Sequence, residues 1–169
     1  MKVFLIGLPG VGKSYWGRQL SSALSVAYID LDKFIEAQEQ TSIPEIFDLN
    51  GEEAFRKLEH EALKYNINAN EELILSCGGG TPLYHHNMEL MKSQGKVIYL
   101  QASLSAIIQK LKASNGFEKR PLFQKSQSPE QILKNLLEER EPTYKKADHI
   151  IEIDRLENPL NEILRILKV

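Results

Sequence analysis

A strand, a glycine loop and a helix start follow one another without a break near the N-terminus, and that order narrows the fold to one class. Lys2-Val3-Phe4-Leu5-Ile6 is a short apolar, partly β-branched run of the kind that forms a buried strand. Gly7-Leu8-Pro9-Gly10-Val11-Gly12-Lys13-Ser14 fits G-x-x-x-x-G-K-[ST]. From Ser14 to Leu24, apolar residues at Trp16, Leu20, Ala23 and Leu24 take a helical spacing. Gly7 and Gly12 allow positive φ and let the backbone approach a phosphate with no Cβ in the way. The amides of Gly10, Val11, Gly12 and the helix start then form a positively polarised nest for anionic oxygens. Lys13 can reach the β- and γ-phosphates, and the Ser14 hydroxyl can complete the coordination of Mg²⁺. The bland alternative is a glycine-rich turn with a surface lysine, which gives no reason for such clean flanks. A nucleoside triphosphate site is expected.

A phosphate loop needs a parallel sheet to carry it. At 169 residues the chain suits one domain, long enough to bury its own core. Its 42% apolar and 26% charged content fits a soluble globular protein and not a disordered one. A net charge of −2 gives no electrostatic basis for nucleic acid or an anionic membrane as partner. No apolar run approaches the length of a membrane span. The N-terminus lacks a basic region and a small-residue cleavage site. The single cysteine, Cys77, excludes an internal disulfide, so a cytoplasmic location and a monomer are expected. His60, His85, His86 and His149 have no metal-like spacing and read as surface or rim residues.

Val26-Ala27-Tyr28-Ile29 is the second strand candidate and ends in Asp30-Leu31-Asp32. These aspartates read equally as helix-capping residues or as ligands at the loop end of the sheet. Beside a triphosphate a carboxylate repels the substrate unless it holds Mg²⁺ or accepts a hydroxyl proton. Ser42-Ile43-Pro44-Glu45 has the form of a capping box for a short helix that Asn50-Gly51 breaks. A longer helix follows from Glu52 to about Tyr65, with Phe55, Leu58, Ala62 and Leu63 apolar. On composition alone, Arg56 between Glu52 and Glu59 favours a solvated ion pair of little weight.

Leu73-Ile74-Leu75-Ser76-Cys77 is a third strand running into Gly78-Gly79-Gly80, where bare amides favour ligand contact over a simple flexible turn into a helix from Leu83 to Met91. Val97-Ile98-Tyr99-Leu100 is the fourth strand, followed by a helix from Ser103 to about Leu111. Lys112 to Ser128 is polar and irregular, and its Lys119-Arg120-Pro121-Leu122-Phe123 suggests a lid bringing an arginine to the γ-phosphate. A disordered surface loop is the other reading. A helix from Pro129 carries Arg140-Glu141-Pro142-Thr143-Tyr144 near its end, where Pro142 should kink or stop it. Arg140 is then either a site residue or a helix-end cation. His149-Ile150-Ile151-Glu152-Ile153 is the fifth strand, before a last helix through Ile163 and Leu167. Alternation of this kind predicts a three-layer α/β/α domain with a five-stranded parallel sheet, and helical excursions after strands two and four.

Taken in order, these parts resemble the shikimate kinase family from end to end. The parts are the phosphate loop with Gly17-Arg18-Gln19-Leu20, Asp30-x-Asp32, Gly51-Glu52-x-x-Phe55-Arg56-x-x-Glu59, Gly78-Gly79-Gly80, Arg120-Pro121-Leu122 and Arg140-x-Pro142-x-Tyr144. The resemblance implies strand order 2-3-1-4-5 in a single kinase domain, with an acceptor-binding excursion at about 32–62 and a lid at about 112–126. It implies transfer of a phosphoryl group from ATP to the 3-hydroxyl of shikimate, with Mg²⁺. Lys13, Asp32 and Arg120 would be catalytic, with Asp32 at the acceptor hydroxyl. Asp32, Arg56, Gly78, Gly79, Gly80 and Arg140 would bind shikimate, the arginines chiefly at its carboxylate. Gly10, Val11, Gly12, Lys13, Ser14, Tyr15, Arg120 and Arg155 would hold the nucleotide. Ser14 would hold the metal, and Asp30 would reach it through water.

The sequence departs from the family pattern at Tyr15, where a threonine is common, at Lys112, near a common adenine-stacking arginine, and at Phe123, a common leucine. A nucleoside monophosphate kinase would share the loop and lid, but Asp32 would repel its phosphate acceptor. Gluconate kinase-like proteins are disfavoured only by the Gly51-to-Glu59 and Arg140-to-Tyr144 motifs. A GTP-dependent switch could use Asp48-Leu49-Asn50-Gly51 as D-x-x-G, but the chain has no N-K-x-D.

Overall fold

The computed structural model describes residues 1–117, 123 and 128–168. Its centre is strand β1 (Lys2–Ile6), whose Val3, Phe4, Leu5 and Ile6 are fully buried. Burial on both faces is what a continuous apolar run requires, and only a central parallel strand provides it. The other strands are β2 (Tyr28–Asp30), β3 (Leu73–Ser76), β4 (Lys96–Gln101) and β5 (His149–Glu152). All pair in parallel in the order β2-β3-β1-β4-β5. The chain moves outward from β1 to β2, returns through β3, then continues on the other side of β1. Ligands in such sheets bind at this reversal, beyond the carboxyl ends of the strands.

The helices are α1 (Lys13–Leu24), α2 (Leu31–Glu39), α3 (Ile43–Ala69), α4 (Asn87–Gln94), α5 (Leu104–Ala113), α6 (Pro129–Tyr144) and α7 (Pro159–Leu167). Gly51, with φ 79° and ψ 171°, interrupts α3 where the Asn50-Gly51 break is expected. The first half of α3 starts on the expected capping box, with Ser42 Oγ accepting from Glu45 N and Glu45 Oε2 accepting from Ser42 N. On α1, Gly17 leaves room for the Tyr28 ring, whose Cδ2 and Cζ would lie 2.9 and 3.3 Å from a Cβ there. Gly17→Ala is therefore expected to cost about 1–3 kcal/mol in urea unfolding. An unchanged midpoint would mean that the ring moves aside freely.

Three boundaries differ from expectation. Strand β2 begins at Tyr28, two residues late, because Val26 and Ala27 lead into the sheet and only Ala27 O pairs there, with Ile74 N. The turn after the glycines is a 3₁₀ helix over Thr81–Leu83, and α4 starts at Asn87. His85 and His86 take φ of 50° and 56° between them, so the two turns cannot merge. Pro142 falls in the last turn of α6, which ends at Tyr144, two residues later than a hard stop would give.

Candidate active site

The carboxyl ends of β1, β2 and β3 and the start of α1 converge on one cleft. It is lined by Pro9, Gly10, Gly12, Lys13, Ser14 and Tyr15 from the loop, by Asp30, Asp32, Ser76, Cys77 and Gly79, and by Lys110, Leu111 and Ser114. Gly10 and Gly12 have φ of 85° and 111°, the conformations that the loop chemistry calls for. Lys13 Nζ folds back onto its own loop, donating to Gly7 O at 2.8 Å and Leu8 O at 3.1 Å. Burial pulls its pKa down to about 8, against the attraction of Asp32. Ser14 Oγ donates to Asp30 Oδ2 at 2.8 Å, and Tyr28 Oη shares that carboxylate oxygen at 3.4 Å. Asp30 also caps α2, accepting from Lys33 N at 3.4 Å. The capping reading of that residue therefore holds, and its other carboxylate oxygen faces Ser14 at the loop end of the sheet.

Ser14 and Asp30 offer a hydroxyl and a carboxylate side by side, a hard oxygen set of the sort that holds Mg²⁺ with few protein ligands. Among the described residues no cluster of three His, Cys, Asp or Glu side chains could hold a metal. A magnesium ion that keeps its waters and takes phosphate oxygens needs no such cluster.

The wall facing the phosphate loop rests on the three glycines, each lying against a different charged group. A Cβ on Gly78 would meet Asp32 Oδ1 at 2.7 Å and Glu59 Oε1 at 2.9 Å. At Gly79 it would run into Arg140 Nη1, and at Gly80 into the Arg56 guanidinium at 2.6–2.8 Å. Bare backbone thus brings two arginines and two carboxylates within reach of one small space. Asp32, in the first turn of α2, has its pKa raised to about 6 by burial first and then by Glu59 and Asp30.

Arg56 is not a solvated surface cation. It is 8% exposed, its Nη1 bonded to Glu59 Oε2 at 2.9 Å and its Nη2 to Glu52 Oε1 at 3.1 Å. Its guanidinium lies 4.4 Å from the centre of the Tyr84 ring. Composition suggests the opposite because the kink at Gly51 and the wall formed by Tyr84 do not show in a helical wheel. Glu59, 1% exposed, accepts from Thr81 Oγ1 at 2.5 Å, and Asn87 Nδ2 donates to Thr81 O at 2.9 Å. His60, half-buried, pairs through Nδ1 with Asn87 Oδ1 at 2.6 Å. Since that amide oxygen can only accept, Nδ1 carries the proton. Arg140, on α6, has its Nε buried with no hydrogen-bond partner among the described residues. A buried unpaired guanidinium N–H is costly and suits an anion.

Tyr144 was expected only as part of a motif. It lies one helical turn after Arg140, on the same face of α6, and is fully buried. Its hydroxyl is 2.6 Å from Gly79 O and 3.3 Å from Gly7 O, and both it and Arg140 Nη1 lie against Gly79. Lys110 is a second residue with no sequence signal. From α5 its Nζ reaches Val11 O at 3.3 Å and stands 5.9 Å from the centre of the Tyr15 ring.

Arg155 and Lys112 do not line this cleft, and Arg120 lies outside the described residues. Arg155 is largely exposed and paired with Glu152 at 2.6 Å beside β5. Lys112 pairs with Glu130 at 3.6 Å. Arg120 and most of the lid at 112–126 lie outside the described residues, while Phe117 and Phe123 pack edge to face at 5.0 Å. Cys77 is buried, and burial pushes its thiol pKa far up, so it is no nucleophile.

Comparison with known proteins agrees with this geometry. A family model described as shikimate kinase matches residues 9–169. A curated shikimate kinase from Azobacteroides pseudotrichonymphae is 37% identical over 169 residues, covering 98% of this chain and 96% of that protein. The crystal structure of shikimate kinase from Bacteroides thetaiotaomicron superposes with a TM-score of 0.90 at 30% identity, covering 100% of this chain and 99% of that one. Shikimate kinase from Acinetobacter baumannii, solved in complex with shikimate, gives a TM-score of 0.84 at 31% identity, over 99% and 90% of the two chains. A gluconokinase from Sinorhizobium meliloti, at 17% identity and a TM-score of 0.57, shares only the fold. The sheet order, the two facing loops and similarity along nearly the whole chain lead to one conclusion: the chain belongs to the shikimate kinase family.

Proposed function

We propose that the chain transfers the γ-phosphoryl group of ATP to the 3-hydroxyl of shikimate, giving shikimate 3-phosphate and ADP. The observation that carries this reading is the facing pair of sites, a phosphate loop opposite a glycine floor holding one acid and two arginines. Shikimate is a small carboxylate with several hydroxyls. Guanidinium groups complement its carboxylate, and Asp32 complements a hydroxyl.

Arg56 and Arg140 bind the acceptor, Gly78, Gly79 and Gly80 let it come close, and Asp32 takes the hydroxyl proton as the oxygen attacks. A pKa near 6 suits that task, since the carboxylate is ionised at neutral pH yet basic enough to hold a proton. The nest of Gly10, Val11, Gly12, Ser14 and Tyr15 amides holds the phosphates, and Lys13 leaves its loop carbonyls for the γ-phosphate. Ser14, with Asp30 behind it, would hold Mg²⁺, which when bound neutralises charge on the β- and γ-phosphates. Arg120 supplies a further cation from the lid by the family resemblance. Because phosphoryl transfer needs little covalent help, these charges and their positions supply most of the catalysis.

The test is ADP release with ATP and Mg²⁺, offering shikimate, gluconate and a set of nucleoside monophosphates separately. Turnover with shikimate alone is expected. Turnover with another acceptor in its place overturns the acceptor assignment while leaving the fold and phosphate loop intact.

A further inference from the structure

We propose that Tyr144 is a positioning residue that fixes the distance between the nucleotide loop and the acceptor floor. This rests on the reading of the two facing sites as a phosphoryl donor and its acceptor. One hydroxyl oxygen touches both. It lies 2.6 Å from the carbonyl of Gly79, in the middle of the floor, and 3.3 Å from the carbonyl of Gly7, where the phosphate loop begins. A phenol has one proton to give and lone pairs to accept with. The proton is therefore shared between two carbonyls, chiefly toward Gly79, against which Arg140 Nη1 also lies. Gly7 O is also the carbonyl that receives Lys13 Nζ at 2.8 Å. Tyr144 so joins, through single contacts of one oxygen, the start of the phosphate loop and the glycine floor.

The rest of the side chain is suited to holding that oxygen still. The ring is fully buried and packs on Tyr99 of β4, centroids 5.0 Å apart. Burial keeps the hydroxyl protonated, with its pKa pushed up to about 12, so the donor persists at any working pH. In a reaction made mostly of positioning, a displacement of about 1 Å costs on the order of a hundredfold in rate.

Tyr144→Phe keeps the ring and removes the tie. The expected result is a kcat about tenfold lower at saturating substrates, with the ADP Kd within about twofold of the parent. A tyrosine that only stabilises the fold would lower the thermal midpoint and leave kcat unchanged well below it; that outcome overturns the proposal. A fluorinated tyrosine placed at position 144 preserves shape but ionises at lower pH. Its kcat should acquire an alkaline limb at lower pH than the parent's, and superimposable profiles would also overturn the proposal. This second variant decides the matter if the phenylalanine variant folds poorly. Both are assayed beside the parent with whichever acceptor the parent turns over, so an error in the acceptor appears in the parent and an error about Tyr144 only in the variants.

Discussion

Asp32→Asn is expected to slow turnover about a hundredfold or more while ADP binds as it does to the parent. The amide keeps the shape and hydrogen-bonding reach of the side chain but cannot accept the acceptor's proton. In the parent, the acid limb of kcat/KM should titrate near pH 6, the value that burial, Glu59 and Asp30 give this carboxyl. The same substitution should stabilise the fold. Asp32 is held above its ordinary value of 3.8, so between roughly pH 4 and 6 the folded chain keeps a proton that the unfolded chain has lost. Stability from this group is complete below that window and is lost as pH rises through it. Above pH 6 the buried carboxylate weighs against folding, and replacing it should raise the unfolding free energy by about 1–3 kcal/mol. Urea titrations at pH 7 and pH 4 would read this directly, with the gain shrinking at the lower pH. A near-normal kcat would remove Asp32 from the chemistry, and an equal or lower stability at pH 7 would mean that its burial carries no penalty.

Arg140→Ala should weaken acceptor binding by roughly 2–4 kcal/mol, the loss of a charge-assisted contact from a closed site. Calorimetry with shikimate is the measurement, and an unchanged Kd would sink the assignment. The basis is the buried Nε that no group among the described residues satisfies, beside an Nη1 set against Gly79. Alanine would also remove the guanidinium that lies with the Tyr144 hydroxyl against Gly79. Some fall in kcat should therefore accompany the loss of affinity.

The fold was legible because its signals are local. Apolar runs of strand length, glycines at strand ends and a capping box each act over a few residues, and all five strands lie in the expected order. Boundaries failed where neighbours decide them, as at β2, whose start depends on which residue of β3 it pairs with. The nucleotide loop was legible for the same reason as the strands, since its glycines and lysine are contiguous. Arg56 was not, because its burial depends on the kink at Gly51 and on Tyr84, which lies 28 positions away in sequence. Tyr144 stood in the sequence only as the last residue of the Arg140-x-Pro142-x-Tyr144 motif, with no role attached, and Lys110 gave no signal at all. Each matters through backbone carbonyls, and no residue type marks a carbonyl in a sequence.

The place of β1 in the sheet has a consequence for how the chain is made. The strand is synthesised first, yet both its neighbours come late: Leu5 lies opposite Ser76 of β3 and Ile98 of β4. At roughly 5–20 residues per second, the partners appear on the order of 4–20 s after β1 itself. Through that interval Val3 to Ile6, the most deeply buried stretch of the finished enzyme, has no sheet to join. The nascent chain therefore carries an uncovered apolar strand until β3 and β4 have been made, which is the condition under which chaperones are recruited. The loop that grips the nucleotide follows directly on that strand, so it can take its shape only once β3 and β4 have arrived.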